Sequence, residues 1–223
     1  MSTDLMKRLA ELSPEKRRML EMRLRTARAA TAEIQPLPRG ADGAAGLPLS
    51  FAQERLWFLE QLDPGSPVYN VPSAFSLEGP LDVDALGRAL AEVVRRHEVL
   101  RAAFEPTEAG PVQRILPPDA FRMEVVDLTH LPEADRDDEA DRRMGEEGRR
   151  PFDLRRGPLI RATLYRIHPA EHGLVIVQHP AATDAWAGKL LVEEMTALYE
   201  AFLAGKPSPL PPLALQYADY AAW

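Results

Sequence analysis

Cysteine is absent from the 223 residues, which removes disulfides, thiol nucleophiles and thiolate metal sites from the chemistry open to this chain. Long apolar runs are absent too. No stretch approaches the roughly 18 uninterrupted apolar residues of a membrane span, and the opening MSTDLMKRLAELSPEKRR lacks the apolar stretch of a secretory signal. A soluble, cytoplasmic protein with no membrane partner is the expectation. No internal repeat or low-complexity tract is found, and no set of metal ligands is read. Positive charge is in deficit: 27 Lys and Arg face 34 Asp and Glu, for a net charge of −7, which argues against general nucleic-acid binding.

What is present is enough for one core. A hydrophobic content of 45% supplies the apolar surface for a single domain, or for a domain with a short appendage. Charge is unevenly spread, because residues 1 to 39 hold nine Lys and Arg against five Asp and Glu, so a basic arm precedes an acidic body. Within residues 1–30, Leu5, Leu9 and Leu12 share one helical face. Ser13-Pro14 then reads as a helix start, and Leu20, Leu24 and Ala27 form a narrow stripe among six basic residues. Such a helical pair is either a solvated element packed on the body or a docking arm. The aperiodic QPLPRGADGAAGLP stretch of residues 35 to 48 reads as a linker, placed at residues 31–46 before the body.

The body, residues 47–223, alternates strand and helix patterns. Phe51 to Leu62 is an amphipathic helix anchored by Trp57, Phe58 and Leu59, and the turn Asp63-Pro64-Gly65-Ser66-Pro67 breaks it. A strand follows at Val71 to Leu77. Asp82 caps a helix running to about Arg96, with Leu86, Leu90, Val93 and Val94 on its buried stripe. Strands are expected at Val99 to Phe104, Val112 to Leu116 and Phe121 to Leu128. The charged segment 132–150 interleaves both signs and reads as a solvated helix. Leu159 to Ile167 and Leu174 to Gln178 form a hairpin, and a helix from Trp186 to Leu203 ends before the proline-rich residues 207–212. The fold class expected is α/β, a mixed sheet with flanking helices.

The stretch that could carry chemistry runs from Leu174 to Trp186, where an apolar strand enters a short loop bearing His179 and Asp184 just before a helix. Polar groups at a strand end are held rigidly while facing a cleft, which suits general bases. A single such His is more often a structural residue than a base.

Several separated segments resemble the condensation domains of nonribosomal peptide synthetases, in order and spacing. Leu47 to Leu59, with Ser50, Ala52, Gln53, Arg55, Leu56 and Trp57, is similar to that family's opening S-x-A-Q-x-R-L-W motif. Arg95-Arg96-His97-Glu98-Val99-Leu100-Arg101-Ala102-Ala103-Phe104 resembles its R-H-E-x-L-R-x-x-F motif. Pro151-Phe152-Asp153-Leu154, with Gly157-Pro158-Leu159, resembles a P-F-D-L segment, and Leu215 to Tyr220 resembles the closing Q-Y-x-D-Y stretch. The resemblance implies a chloramphenicol acetyltransferase-like fold in which two α/β lobes form a V around a tunnel, with this chain supplying the amino-terminal lobe.

It also implies a reaction. Two carrier proteins present a donor and an acceptor on phosphopantetheine, and the acceptor amine attacks the donor thioester, so no cofactor is bound directly. Partners implied are acyl or peptidyl carrier proteins, an upstream synthase or synthetase subunit and a second lobe. The family's H-H-x-x-x-D-G motif places His179 at the first His, Pro180 at the second, Asp184 at the Asp and Ala185 at the Gly. The second His is the family's proposed base. Proline has neither a titratable group nor a backbone N–H, so Pro180 replaces the base with an inert residue. Asp184 is expected to pair with Arg101 and hold the loop in shape. The docking arm would meet an acidic upstream tail through Lys7, Arg8, Lys16, Arg17, Arg18, Arg23 and Arg25. Two functions are then in play: an amide-forming half that is inactive by itself, or a degenerate domain kept to dock assembly-line subunits.

Overall fold

The computed structural model describes residues 33–39 and 46–223; the basic arm at residues 1–30 and half of the linker lie outside the described residues. In the body, Ser50 starts helix α1 (Phe51–Leu62) with a reciprocal cap. Its Oγ accepts the Gln53 N–H at 3.3 Å, and Gln53 Oε1 accepts the Ser50 N–H at 3.0 Å. The opening motif is therefore first a helix start. The Gln53 amide also donates to the Ala181 carbonyl at 3.0 Å, fastening α1 to a loop 128 residues away.

Helix α2 (Val83–Arg96) is capped by Asp82, whose carboxylate accepts the Ala85 N–H at 2.8 Å. Leu86, Ala89, Leu90, Val93 and Val94 recur at helical spacing and are all buried. Burial of each such leucine contributes about 1.5–3 kcal/mol. Helix α2 packs along helix α4 (Ala185–Leu203), while helix α3 (Arg136–Arg149) lies against strands of the larger sheet. Helix α3 is the charged segment, laced by Glu139–Arg142, Glu139–Arg143 and Arg142–Glu146 pairs on its solvent side. A short helix α5 (Tyr217–Ala222) closes the body.

The expected α/β lobe with a mixed sheet and flanking helices is present, with its strands divided between two sheets. Strands β1 (Leu47–Pro48), β4 (Gly110–Ile115) and β3 (Ala102–Thr107) make an antiparallel sheet in the order β1-β4-β3. The second sheet is mixed, ordered β2-β7-β6-β5, from β2 (Val71–Glu78), β5 (Glu124–Asp127), β6 (Ile160–His168) and β7 (Glu171–Gln178). Only the β5–β6 pairing in it is parallel. Alternation identifies strands but not their partners, which is why the split was not legible. Strand β7 is buried from His172 to Gln178 on both faces, as its unbroken apolar run requires.

Two local expectations are corrected. Val99 to Arg101, read as the start of a strand, belong to a 3₁₀ turn (Glu98–Arg101), and β3 begins only at Ala102. Tertiary bonds impose this turn: Gln216 Oε1 accepts the Glu98 N–H at 3.0 Å, and the Leu100 carbonyl accepts the Leu159 N–H at 2.8 Å. Part of the linker is also fixed to the body. The Leu37 N–H donates to Asp219 at 2.9 Å, and Arg39 bridges Asp219 and Glu98, both at 2.9 Å. Close packing appears again at Gly157, where φ is +57° and an added Cβ would sit 2.5 Å from the Ala102 carbonyl oxygen. Only glycine meets both demands there.

Candidate functional site

A cavity of about 390 Å³ opens at the carboxyl end of β7. Pro180, Ala181, Ala182, Thr183 and Asp184 line one side; Ala52, His97, Val99, Ala187, Leu213, Leu215, Gln216 and Tyr217 line the rest. The strand delivers the loop there and α4 carries the chain away. Its wall is mostly small or apolar, with His97, Thr183, Asp184, Gln216 and Tyr217 as polar groups.

His179 is turned into the protein. It is 5% exposed, its ring meets the edge of Phe152 at 5.9 Å, and its Nδ1 accepts the Ala181 N–H at 3.2 Å. That bond leaves the proton on Nε2, and burial pushes the imidazole pKa down to about 4. A ring so placed is neutral and structural at ordinary pH. Pro180 has a local role as well: the Ala182 N–H donates to the His179 carbonyl at 2.8 Å, closing a β-turn with proline at its second position, where a fixed φ is favoured.

Asp184 and Arg101 are not paired, which corrects the expected ion pair. Asp184 is exposed, and its Oδ1 accepts the Ala187 N–H at 2.8 Å as the cap of α4. Arg101 Nη1 donates to the Leu116 carbonyl, while its Nε is buried without a partner among the described residues. Burial without a carboxylate, partly offset by Glu98, lowers the Arg101 pKa. The carboxylate that the sequence offered to Arg101 is committed to a helix end.

The charged centre of the site lies elsewhere, on Arg96 and His97, which carried the resemblance without a role, and on Glu194, which the sequence analysis did not single out. Glu194, from the middle of α4, accepts from Arg96 Nε and Nη2 at 3.3 Å each and lies 2.8 Å from His97 Nε2. Burial pushes this carboxyl up, but the Arg96 and His97 hydrogen bonds outweigh it and hold Glu194 below the usual range. Arg96 Nη1 also donates to the Pro211 carbonyl at 2.8 Å, and Gln216 Nε2 donates to the Arg96 carbonyl at 2.8 Å. Ser50 Oγ and the Tyr217 hydroxyl are 2.9 Å apart. The signal that could have found this cluster was Glu194 itself, a lone acid on the apolar face of a helix.

Among the described residues no cluster of three or more His, Asp or Glu could hold a metal, and no helix is long and apolar enough to cross a membrane. The opening, Arg-His-Glu, strand-end and closing segments, far apart in sequence, meet around one cavity.

Comparison with known proteins gives the same answer from outside. The chain is 42% identical over 220 residues to phosphinothricin tripeptide synthetase PhsC of Streptomyces viridochromogenes, covering 99% of this chain and 20% of that protein. The X-domain from teicoplanin biosynthesis superposes with a TM-score of 0.74 at 31% identity, covering 86% of this chain and 40% of that one. The starter condensation domain of rhizomide synthetase, solved as a mutant with C8-CoA and Leu-SNAC, gives a TM-score of 0.72 at 28% identity, covering 81% of this chain and 41% of that one. This chain thus spans about a fifth of the first relative's length and about two fifths of these solved chains. With the family model described as "Condensation domain" matching residues 44–223, the chain belongs to the condensation-domain family of the nonribosomal peptide synthetases.

Proposed function

We propose that this chain is the amino-terminal lobe of an amide-forming condensation site and builds one wall of the channel in which a tethered amine meets a tethered thioester. The observation that carries the reading is the convergence of four separated family segments on one cavity: Ala52, His97 with Val99, Pro180 to Asp184, and Gln216 with Tyr217. A wall of that kind works by holding reactants in reach and in line, which lowers a barrier by about 7–11 kcal/mol in favourable cases. Phosphopantetheine on the carrier proteins supplies the tethers, so tight binding of free substrate is unnecessary. The C8-CoA and Leu-SNAC held by the rhizomide starter domain are an acyl thioester and an aminoacyl thioester, which supports this substrate class.

One lobe does not enclose a channel, so the chain by itself is inactive in this reading. The test is an intact-mass assay with loaded donor and acceptor carriers, run with the chain alone and with a candidate second lobe. Product only in the paired reaction supports the proposal. Carrier binding without product under every pairing would reject it in favour of a docking module.

A further inference from the structure

His179 faces inward and Pro180 has no base, yet an amine attacking a thioester must lose a proton. The cavity holds one imidazole that can take it. His97 lines the wall with its side chain 21% exposed, and its Nε2 lies 2.8 Å from Glu194, whose carboxylate Arg96 orients from the other side. An ionised carboxylate only accepts, so Nε2 donates to it and the lone pair resides on Nδ1. Nδ1 makes no hydrogen bond to the described residues. A carboxylate that fixes the tautomer of an imidazole, with the opposite nitrogen free, is the arrangement by which histidine bases are oriented.

We propose that His97, held by Glu194, is the proton acceptor of this cavity and occupies the role that Pro180 leaves vacant. The inference rests on the reading of the cavity as part of an amide-forming site. In the step it performs, the acceptor amine nitrogen attacks the thioester carbonyl, the amine proton passes to His97 Nδ1, and the C–S bond breaks. The departing sulfur then takes that proton, leaving amide and thiol with His97 neutral again. Glu194 stays ionised throughout and stabilises the transient imidazolium, while Arg96 keeps the carboxylate in place. Asp184, the acid that lines the cavity itself, has one oxygen occupied as a helix cap and adds negative potential favouring an amine.

The absence of cysteine makes a direct test simple, since no thiol competes for an alkylating probe. The full chain is treated with bromoacetamide-terminated pantetheine, and separately with plain bromoacetamide; marks on the five histidines are mapped by peptide mass. His97 should be alkylated faster by the pantetheine probe than by bromoacetamide, and Glu194→Gln should slow that reaction several-fold. His97→Gln, which can still donate to Glu194, should lose the mark while keeping its melting temperature. His172 and His179, both buried, serve as unreactive controls. An unmarked His97, or one marked equally by both probes, overturns the proposal.

In the paired-lobe assay His97→Gln should lower turnover by about 10²–10⁴-fold, the usual worth of a general base, with KM little changed. Unchanged turnover in that variant would also overturn it. If no pairing of wild-type lobes yields amide, the proposed function fails, and the labelling result still decides whether His97 presents a free nitrogen to the cavity.

Discussion

Glu194→Ala is the perturbation that tests the central claim about how this lobe is held together. The Arg96 and Glu194 side chains are 6% and 8% exposed, and the same carboxylate also receives His97. Removing it leaves Arg96 buried with the Pro211 carbonyl as its remaining acceptor. Breaking one side of a buried pair costs about 3–5 kcal/mol, because the partner charge is stranded away from water. A chain of this length loses about 2–4 °C of Tm per kcal/mol, so a fall of about 6–20 °C is expected. Urea titration followed by tryptophan fluorescence should show a lower midpoint at an unchanged slope. The pH dependence has a definite sign. The folded carboxyl lies below the ordinary value, so its contribution is complete above about pH 4.3 and lost as acid takes the pH through the folded value. Wild type and variant should therefore converge in acid. Arg96→Met combined with Glu194→Met should cost less than either change alone, since neither charge is then stranded. A loss below about 1 kcal/mol at neutral pH, or one that persists unchanged in acid, would refute the reasoning.

Asp184→Ala should cost only about 0.5–2 kcal/mol, the value of a helix cap, and a double-mutant cycle with Arg101→Met should show no coupling; a coupling above about 1 kcal/mol would restore the ion pair. His179 should stay neutral by NMR down to about pH 4, whereas the unfolded imidazole protonates near 6.5. Its burial therefore adds stability above pH 6.5 that erodes by roughly 3 kcal/mol towards pH 4, and His179→Phe should flatten that slope. A normal titration would place the ring in solvent. Pro180→His with Ala185→Gly should yield no amide from the chain alone in the intact-mass assay. Product would show that a single lobe suffices.

The helices were legible because their caps are written locally. Asp82 was read as such a cap, while Ser50 with Gln53 and Asp184, read for other roles, turn out to cap their helices in the same way, each side chain bonding to the backbone just ahead of it. The β6–β7 hairpin was legible for the same reason, a short turn between apolar runs. Sheet partnership was not, since pairing β1 with β4 joins Leu47 to Gln113 and no local pattern encodes it. The site shows the same division. Its place at the end of β7 followed from the strand-to-helix pattern, but the orientation of His179 depends on Phe152 and the Ala181 N–H, and the role of Arg96 depends on an acid 98 residues later.

The clamp between Arg39, Leu37 and Asp219 bears on the order in which the chain assembles. It closes a loop of 180 residues or more, so its bonds repay their loop-closure entropy only when the intervening sheets already hold the ends together. On that ground the clamp is expected to form after the folding barrier has been crossed. The clamp therefore acts on the rate at which the folded body opens and scarcely on the rate at which it forms, which makes two side chains and one backbone N–H at the margin of the lobe guardians of its lifetime.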